Sequence, residues 1–288
     1  MPELVKLLVE GDSSTGKTTL LISLIAAGYQ VRVLDYDNKL TSLRAFVNHY
    51  FPDKSFEYKS LRDKIKASPN GPILDGAPKA FSGGLDLLDK WSDGSVPALW
   101  GPDYVLVVDT LTSMTQAAYN WAKLMQGHIS YIEGVNIKGG PDPRNLIYTA
   151  QRSIMNMLSL LTSEFFETNV VVMSHIKYFD REDGKTKSYP VTIGSAIAPE
   201  VPTSFSSVIQ LETDSIGGKT QRILRTVSTP MIDLQTPVPF AMPSVIPILD
   251  LTVSAKGVEE TGLALFFKLV RGSQCHHSQM FLTLKSPT

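Results

Sequence analysis

Two apolar segments near the start of the chain are separated by a glycine-containing loop. Residues 4–10 are mostly apolar and end at Gly11, and residues 17–27 have apolar positions dense enough for a largely buried helix. Gly28 is a suitable residue to end that helix, and the apolar segment 31–34 follows it as a second strand. Because two strands joined by a helix cannot pair as a hairpin, this pattern predicts a parallel strand–helix–strand unit.

Two further apolar segments lie in the middle of the chain. Residues 104–108 (YVLVV) lead into Asp109, and residues 169–173 (NVVVM) form a similar uninterrupted segment. Strands of this kind are buried on both faces, as in the centre of a parallel sheet. Helical patterns over about 113–127 and 145–166 lie between the two segments. The sequence therefore predicts an α/β fold with a mainly parallel central sheet flanked by helices.

Three regions depart from this alternation of strands and helices. Residues 52–103 combine short amphipathic pieces with a stretch rich in proline and glycine, which is typical of a surface insertion. Residues 207–212 and 221–227 alternate in polarity around a glycine-containing turn, which predicts a hairpin. Five prolines between residues 230 and 247 disfavour regular strand pairing and predict an extended strap.

The change of pattern after residue 227 suggests how the chain is organised. We expect a core over residues 1–227, with the insertion at 52–103, and a Pro-rich C-terminal extension of unknown role over 228–288. A length of 288 residues suits one large α/β domain with an appendage.

Composition narrows the classes of function. The 27 basic and 28 acidic residues give a net charge of -1, so contact with nucleic acid has to come from local patches. The single cysteine, Cys275, excludes an internal disulfide and a multi-cysteine zinc site, and it suits a reducing compartment. The chain has neither a secretory leader pattern nor a long apolar segment, so we expect no membrane association. A cytoplasmic location is predicted.

The segment GDSSTGKT matches the phosphate-binding loop pattern G-x-x-x-x-G-K-[ST] in full. It lies between a predicted strand and a predicted helix, where backbone N–H groups and the helix N-terminus together attract phosphate. We therefore expect ATP and Mg²⁺ to bind here, with Lys17 at the β- and γ-phosphates and the Thr18 hydroxyl on the metal ion. The residues predicted to hold the nucleotide are Gly11, Asp12, Ser13, Ser14, Thr15, Gly16, Lys17, Thr18 and Thr19.

Acidic residues that follow two of the strands are candidates for the rest of the site. Asp109 ends a strand that we expect to lie beside the first one, which makes it the candidate Walker B ligand of Mg²⁺. A strand-end aspartate is often a helix N-cap, but Thr110 or Thr112 is able to fill that role here. Asp35 and Asp37 both follow the second strand and share a face, because side chains two residues apart do so. Either one is able to position the attacking water.

The loop, the acidic residue after strand two and the Walker B residue resemble, in this order, the RecA-like ATPases. Ser174 and His175 add a fourth element, similar to the polar pair that senses the γ-phosphate in that family. This Ser-His pair looks closest to the short RecA-like ATPases of bacteriophages that act with single-strand-annealing proteins. The resemblance covers residues 4–227 and implies that Asp37 activates water, where the family more often has glutamate. For His175, a core histidine satisfied by its neighbours is the alternative. The catalytic candidates are Lys17, Asp37, Asp109 and His175.

The resemblance also implies contacts with DNA and with other subunits. RecA-like proteins bind single-stranded DNA with the segments after the Walker B region and after the sensor strand, here 138–144 and 177–187. The second segment alternates cations with aromatic residues, although its acidic residues keep a plain solvated loop open as the alternative. A homo-oligomer, either a filament or a ring, is implied, with Arg222 and Arg225 reaching a neighbour's ATP unless they are simple surface cations. The candidate DNA contacts are Lys138, Arg144, Lys177, Arg181, Lys185 and Lys187.

These features predict a DNA-dependent ATPase for recombination, annealing or replication, with an annealing or single-strand-binding protein as its expected partner. Two alternatives stay open at this stage. A small-molecule or nucleotide kinase shares the phosphate-binding loop but needs an arginine-rich lid, and residues 52–103 contain no such cluster. A non-catalytic interaction or loader module would use the nucleotide only to order a loop. Stimulation of hydrolysis by single-stranded DNA separates the first function from the other two.

Overall fold

A computed structural model of the chain describes residues 4–54, 56–69, 71–125, 143–180, 184, 186–216 and 219–283. These residues form eleven β-strands and six α-helices. The strands are β1 (Lys6–Gly11), β2 (Gln30–Asp35), β3 (Glu57–Ser60), β4 (Ile65–Lys66), β5 (Ile73–Leu74), β6 (Gly101–Asp109), β7 (Thr168–Asp180), β8 (Thr186–Pro190), β9 (Ser207–Ile216), β10 (Lys219–Arg225) and β11 (Val245–Pro247). The helices are α1 (Leu21–Ala26), α2 (Thr41–Tyr50), α3 (Ala80–Asp89), α4 (Leu111–Met125), α5 (Pro143–Thr162) and α6 (Gly262–Thr283).

Nine of the described strands form one sheet, in the order β11-β10-β9-β1-β7-β6-β2-β3, with β8 paired to β7 off this path. The six strands from β9 to β3 pair in parallel. The strands β8, β10 and β11 are antiparallel additions, and β9 with β10 forms the hairpin expected between residues 207 and 227. The predicted α/β fold with a mainly parallel central sheet is confirmed.

The sequence led us to expect the strand that carries Asp109 beside the first strand, and this expectation is wrong. β7 lies between β1 and β6, and its Val171 pairs with Leu7 on one side and with Val107 on the other. A crossover helix can carry the chain past a neighbouring strand, so the order along the chain does not determine adjacency in the sheet. Asp109 still reaches the phosphate-binding loop, because parallel strands all end at the same edge of the sheet.

Helices cover the sheet on both of its faces. On β1, Leu7 and Val9 face a core shared with α1 and α6, whereas Leu8 faces a second core shared with α3, α4 and α5. This alternation is the period of two that a strand imposes on its side chains. The strand that leads into the phosphate-binding loop is therefore held rigidly from both sides. None of the helices in the described part of the chain is both long and apolar enough to span a membrane.

Residues 52–103 are integrated into the core, unlike the surface insertion that the sequence predicts. β3 pairs with β2 at the end of the main sheet, and Phe81 and Trp91 are each 1% exposed in the second core. Arg32 on β2 forms an ion pair with Glu57 on β3 at 3.2 Å. The elements in this segment are too short and too widely interrupted to give a clear periodic pattern.

The Pro-rich segment after residue 227 also belongs to the same fold. β11 pairs with β10 although it ends at Pro247, which is acceptable because β11 is the edge strand and its outer N–H groups need no partner in the sheet. α6 buries Phe266 and Phe267 completely in the first core, together with residues of α1. A division at residue 227 does not separate two independent cores.

Candidate nucleotide-binding site

The phosphate-binding loop, or P-loop, connects the end of β1 to a short 3-10 helix, Thr18–Leu20, that continues into α1. The backbone is left-handed at Ser14, with φ of 64°, and at Gly16, with φ of 98°. A Cβ atom at Gly11 would lie only 2.6 Å from the carbonyl oxygen of Leu211. The path of the loop therefore depends on glycine at 11 and favours it at 16.

Lys17 is folded back into the loop. Its Nζ donates hydrogen bonds to the carbonyl oxygens of Gly11 at 2.9 Å and Asp12 at 2.7 Å, and it lies 3.2 Å from Nδ1 of His175. The residue is only 5% exposed, and burial lowers the pKa of its ammonium group to about 8, although Asp109 and other carboxylates act in the opposite direction. The ammonium group of Lys17 thus lies where phosphate oxygens are expected to bind.

Thr18 and Asp109 meet at the end of the P-loop. The Thr18 hydroxyl donates to Oδ2 of Asp109 at 2.7 Å, whereas Oδ1 of Asp109 is buried and has no hydrogen-bond partner among the described residues. Burial raises the pKa of Asp109 to about 6. The hydrogen bond from Thr18 acts to lower this pKa, and the negative charge of the nearby Asp37 acts to raise it. A buried carboxylate with an unpartnered oxygen beside a hydroxyl is a set of hard oxygen ligands, so these residues fit the Mg²⁺ that the motif implies.

Asp109 is free for this role because a neighbouring residue caps the next helix. The Thr110 hydroxyl accepts a hydrogen bond from the N–H of Ser113 at 3.3 Å in the first turn of α4. A capping contact of this type satisfies one of the unpaired N–H groups at a helix start. Asp109 therefore points towards the P-loop instead of capping α4.

The two aspartates after β2 have different environments. Asp35 is 1% exposed and accepts a hydrogen bond from the backbone N–H of Asn38 at 2.6 Å, so it shapes the turn after the strand. Burial raises its pKa above the ordinary value. Asp37 instead lies beside His175, which contacts Lys17 of the P-loop. Of the two candidates that the sequence left open, Asp37 lies beside His175, whereas Asp35 binds the turn after β2; the role of Asp37 in positioning water stays a prediction.

Asp37 lies in a group of hydroxyl and nitrogen donors. Its Oδ1 accepts hydrogen bonds from the hydroxyls of Thr110, at 3.2 Å, and Ser113, and its Oδ2 lies 3.5 Å from Nζ of Lys39. Burial acts to raise the pKa of Asp37, but His175, Ser113 and Lys39 together hold it below its ordinary value. Sequence reasoning missed Thr110 and Ser113 as partners; their position directly after the Walker B residue is the signal that points to them.

His175 bridges the P-loop lysine and the aspartate. The β7 register places it opposite Gly11, and its Nε2 lies 3.9 Å from Oδ2 of Asp37, on the other side of the ring from Lys17. Because Lys17 donates to Nδ1, the neutral tautomer carries its proton on Nε2 and directs it at the carboxylate. Its predicted companion, Ser174, is fully buried and turned away, with its hydroxyl donating to the carbonyl oxygen of His175 at 2.9 Å.

Comparison with known families gives a decisive match at this point. A family model described as an AAA domain matches residues 3–236. The chain belongs to this AAA-domain family. Together with the P-loop geometry, this makes the chain a nucleotide-binding P-loop ATPase of the AAA type.

Two solved structures are similar to this AAA domain. The flagellar accessory protein FlaH from Methanocaldococcus jannaschii is 11% identical, with a TM-score of 0.42 over 86% of this chain and 86% of its own. A KaiC-like protein from the hyperthermophilic archaeon Pyrococcus horikoshii OT3 is also 11% identical, with a TM-score of 0.44 over 86% of this chain and 87% of its own. No curated protein matches the sequence.

The second predicted DNA-binding loop belongs to a hairpin in this AAA domain. β7 does not end at His175 but continues to Asp180, and its last five residues pair with β8. On this hairpin, Lys177 is exposed, with Nζ 5.5 Å from the ring centroid of Phe179. The Tyr178 hydroxyl lies 3.4 Å from Oδ2 of Asp12, so the hairpin touches the P-loop directly.

The other candidate DNA contacts of the AAA domain have varied surroundings. Lys187 forms an ion pair with Asp233, and its side chain is only 17% exposed, so its charge is compensated within the chain. Arg144 lies in the first turn of α5 and not in a loop. The remaining candidates fall outside the described residues; they are Lys138, Arg181 and Lys185.

The two arginines expected to reach a neighbouring subunit both contact their own chain. They lie on β10, which is enclosed between β9 and β11 instead of forming an edge. Arg225 donates from Nε to Oε1 of Glu212 at 2.7 Å. Arg222 places its guanidinium Nη1 3.1 Å from the position that a Cβ atom on Gly16 would take. The predicted contact of these two arginines with a neighbour's ATP stays a prediction.

Proposed function

We propose that this AAA domain is a Mg²⁺-dependent ATPase that acts on single-stranded DNA in recombination, annealing or replication of the bacteriophage type. The observation that carries the ATPase part is the contact between Thr18 and Asp109 at the end of the P-loop, with Lys17, His175 and Asp37 grouped around it. These are the parts that phosphoryl transfer needs: a phosphate cradle, ligands for a metal ion and a group that orients water.

Lys17, Thr18 and Asp109 bind the reacting end of the nucleotide. Lys17 exchanges its two carbonyl partners for phosphate oxygens, which are the better partners for an ammonium group because they are charged. Thr18 and Asp109 would hold the magnesium ion, which when bound would neutralise charge on the β- and γ-phosphates. A bound cation would also compensate the buried Oδ1 of Asp109, which has no hydrogen-bond partner among the described residues.

Asp37 orients the attacking water. Its pKa lies below the ordinary range, so at neutral pH it is ionised and accepts hydrogen bonds, but it is a weak proton acceptor. Orientation of the water, and not removal of its proton, is therefore the role that this carboxylate suits. His175 loses its contact with Lys17 when that side chain moves to the phosphates, which makes it the residue that senses an occupied site.

Action on DNA is supported by the hairpin formed by β7 and β8. Lys177 supplies a cation for a phosphate, and Tyr178 and Phe179 supply rings for stacking on bases, which is the combination used by proteins that bind single strands. The homo-oligomer, the annealing or single-strand-binding partner and the phage context rest on the family resemblance of the motifs.

A nucleotide-gated module without productive turnover is the second candidate. It is favoured by the extent to which Asp37 is already occupied by Thr110, Ser113 and Lys39 of its own chain. In this alternative the nucleotide changes the contact between Tyr178 and the P-loop, and the hairpin transmits that change to a partner.

ATP hydrolysis measured with and without single-stranded DNA decides between the two candidates. Stimulation by DNA supports the DNA-dependent ATPase, whereas tight nucleotide binding without hydrolysis supports the gated module. Asp109→Asn is the control, because an amide is a poor ligand for Mg²⁺ and should remove metal-dependent turnover while some nucleotide binding remains. A wild-type protein that binds no nucleotide would refute both candidates.

A further inference from the structure

A cavity of about 130 Å³ lies beside the end of β1, on the face of the sheet that also carries α3, α4 and α5. Its walls come from β8, β9, the 3-10 helix Val201–Ser204 and residues 232–235. The inner end is formed by buried residues, among them Glu10 and Val208, whereas the exposed Thr203 and Asp233 lie at the mouth. A small ligand can therefore enter from solvent and reach Glu10.

The carboxyl group of Glu10 has no donor at the inner end of this cavity. Glu10 is 1% exposed, and its Oε1 is buried without a hydrogen-bond partner among the described residues. The polar side chains beside it bind elsewhere: the Ser188 hydroxyl donates to the carbonyl oxygen of Met231 at 3.0 Å, and the Gln235 amide donates to that of Phe205. Because a buried acceptor without a donor is unfavourable, a ligand that supplies an N–H group gains from this carboxyl.

The charges around the cavity favour a cation. Burial raises the pKa of Glu10 to about 8, and the negative charge of Asp233 adds to this effect. Lys187 on β8 forms an ion pair with Asp233, and Tyr189 is the other titratable group in the lining. The lining residues from the 3-10 helix and β9 are uncharged; they are Pro202, Thr203 and Val208. A ligand with one positive charge would therefore compensate an ionised Glu10.

The size and the walls of the cavity suit an alkyl chain with a charged end. Val208, Ile232 and Leu234 make much of the lining apolar, whereas a hard metal ion needs about six or more oxygen ligands. A cavity of ~150 Å³ holds a six-carbon ring, so the volume beside Glu10 leaves room for about five heavy atoms. Both the n-butylammonium ion and the side chain of a lysine are of this size.

We propose that this cavity binds a primary alkylammonium group, with the nitrogen at the carboxylate of Glu10 and the alkyl chain against Val208 and Ile232. The site is separate from the P-loop and needs no nucleotide. When the ligand binds, the protonated carboxyl group of Glu10 releases its proton to solvent and forms an ion pair with the ammonium group. One positive charge thus enters the cavity and one proton leaves it.

Calorimetric titration of the full chain with n-butylammonium chloride tests the proposal. At pH 8 the expected dissociation constant is on the order of 1 mM, which is within the reach of a ligand this small. Below the pKa of Glu10 the affinity should fall by about 10-fold per pH unit, because the carboxyl group then has to lose a proton before it pairs. Titrations in buffers of different ionisation enthalpy measure the released proton.

Two variants separate the charge of Glu10 from the space of the cavity. Glu10→Gln keeps the size of the side chain but not its charge, so it should weaken butylammonium binding by about 10-fold or more and abolish the proton release. Thr203→Trp, at the exposed mouth, should weaken binding by obstructing entry while Glu10 stays intact. The exposed Glu164→Gln is the control and should bind as the wild type does, and circular dichroism checks that each variant is folded.

A second ligand distinguishes a free amine from a lysine side chain of a partner protein. If Nα-acetyl-lysine methylamide binds as well as butylammonium does, the mouth admits a lysine side chain; if butylammonium alone binds, the ligand is a free amine. The proposal is overturned if the wild type binds neither compound at pH 8, or if Glu10→Gln binds butylammonium with wild-type affinity. Binding without release of a proton at pH 7 would also contradict it.

Discussion

At the scale of single residues, Lys17 has three ammonium hydrogens and three acceptors within reach. Two are carbonyl oxygens, of Gly11 and Asp12, and the third is Nδ1 of His175. A nucleotide has to displace these partners before it gains the cation. The side chain is also less exposed than a loop lysine usually is, at 5%, so its loss affects the loop itself as well as the ligand.

Lys17→Ala should therefore abolish measurable nucleotide binding and lower the stability of the free protein by about 1–2 kcal/mol, since the carbonyl groups lose their donor. Calorimetric titration with ATP and urea unfolding measure the two effects. Glu164→Gln, at an exposed position outside the site, is the control. Unchanged ATP binding in Lys17→Ala would contradict the assignment of the P-loop.

Glu10 is a second buried titratable residue, at the end of the P-loop strand. It is 1% exposed, its Oε1 has no partner among the described residues, and burial, with a smaller effect of Asp233, raises its pKa to about 8. The unfolded chain releases this proton near its ordinary pKa of 4.5, so between these values the folded state binds more protons. Stability should fall as pH rises through this window and level off above the folded pKa.

The slope contributed by Glu10 should be about 1.4 kcal/mol per pH unit between pH 6 and 7.5. Glu10→Gln should remove this contribution and stabilise the protein at pH 8 relative to the wild type. Urea unfolding at a series of pH values measures it, with the exposed Glu164→Gln as control. Parallel stability curves for the wild type and Glu10→Gln would show that the carboxyl group is not buried in a neutral form.

Single residues differ in how far the sequence predicts them. The P-loop is a local motif, so its residues follow from spacing alone. The difference between Asp35 and Asp37 depends on which of the two carboxylates accepts a hydrogen bond within the turn after β2. The structure shows that Asp35 accepts one from Asn38, and the sequence pattern does not indicate this contact. Arg222 lies more than 200 residues from Gly16 in sequence, so no local pattern indicates their contact.

At the scale of elements, the hairpin of β7 and β8 carries the predicted DNA contacts, but its cations are not equivalent. Lys177 is exposed, whereas Lys187 is held by Asp233. A cation that already has a carboxylate partner gains less from a phosphate than a solvated one does, because it loses its ion pair. The apolar pattern that ends at residue 173 did not reveal the hairpin, because polar residues follow it and the strand becomes mostly solvent-exposed from Lys177 onwards.

Lys177→Ala should weaken binding of single-stranded DNA and reduce the dependence of log K on log salt by up to ~0.7, the value for one lost phosphate contact. Lys187→Ala, on the opposite strand of the same hairpin, should leave that slope nearly unchanged. Fluorescence anisotropy with a labelled oligonucleotide over a series of salt concentrations compares them. Equal slopes in the wild type and Lys177→Ala would place DNA binding elsewhere on the molecule.

At the scale of the whole molecule, one core includes residues on both sides of the end of the family match. Phe267 on α6 is fully buried against the same cluster as the P-loop strand. The sequence could not show this, because proline content predicts the absence of regular pairing but not what a segment packs against. Strand order has the same limitation, as the position of β7 between β1 and β6 illustrates.

Phe267→Ala should lower the free energy of unfolding by about 3–5 kcal/mol, the usual cost of a large cavity in a core. Its effect should appear in a single cooperative transition for the whole chain, measured by calorimetry and urea unfolding. Phe165→Ala, at a side chain that is 79% exposed, is the control and should change stability little. A separate transition for the C-terminal region would mean that residues 228–288 form a unit of their own.

The length of β7 determines how far a small tilt of the strand moves its end. It is one strand of 13 residues, supported by neighbours in the sheet up to His175 and projecting beyond them to Asp180. At ~3.3 Å per residue the projecting part is about 16 Å long. A tilt of a few degrees at His175 therefore moves the far end by about 1 Å, as a lever moves about its fulcrum. The reverse also holds: a force that displaces β7 near Asp180 also displaces His175, whose imidazole contacts Lys17.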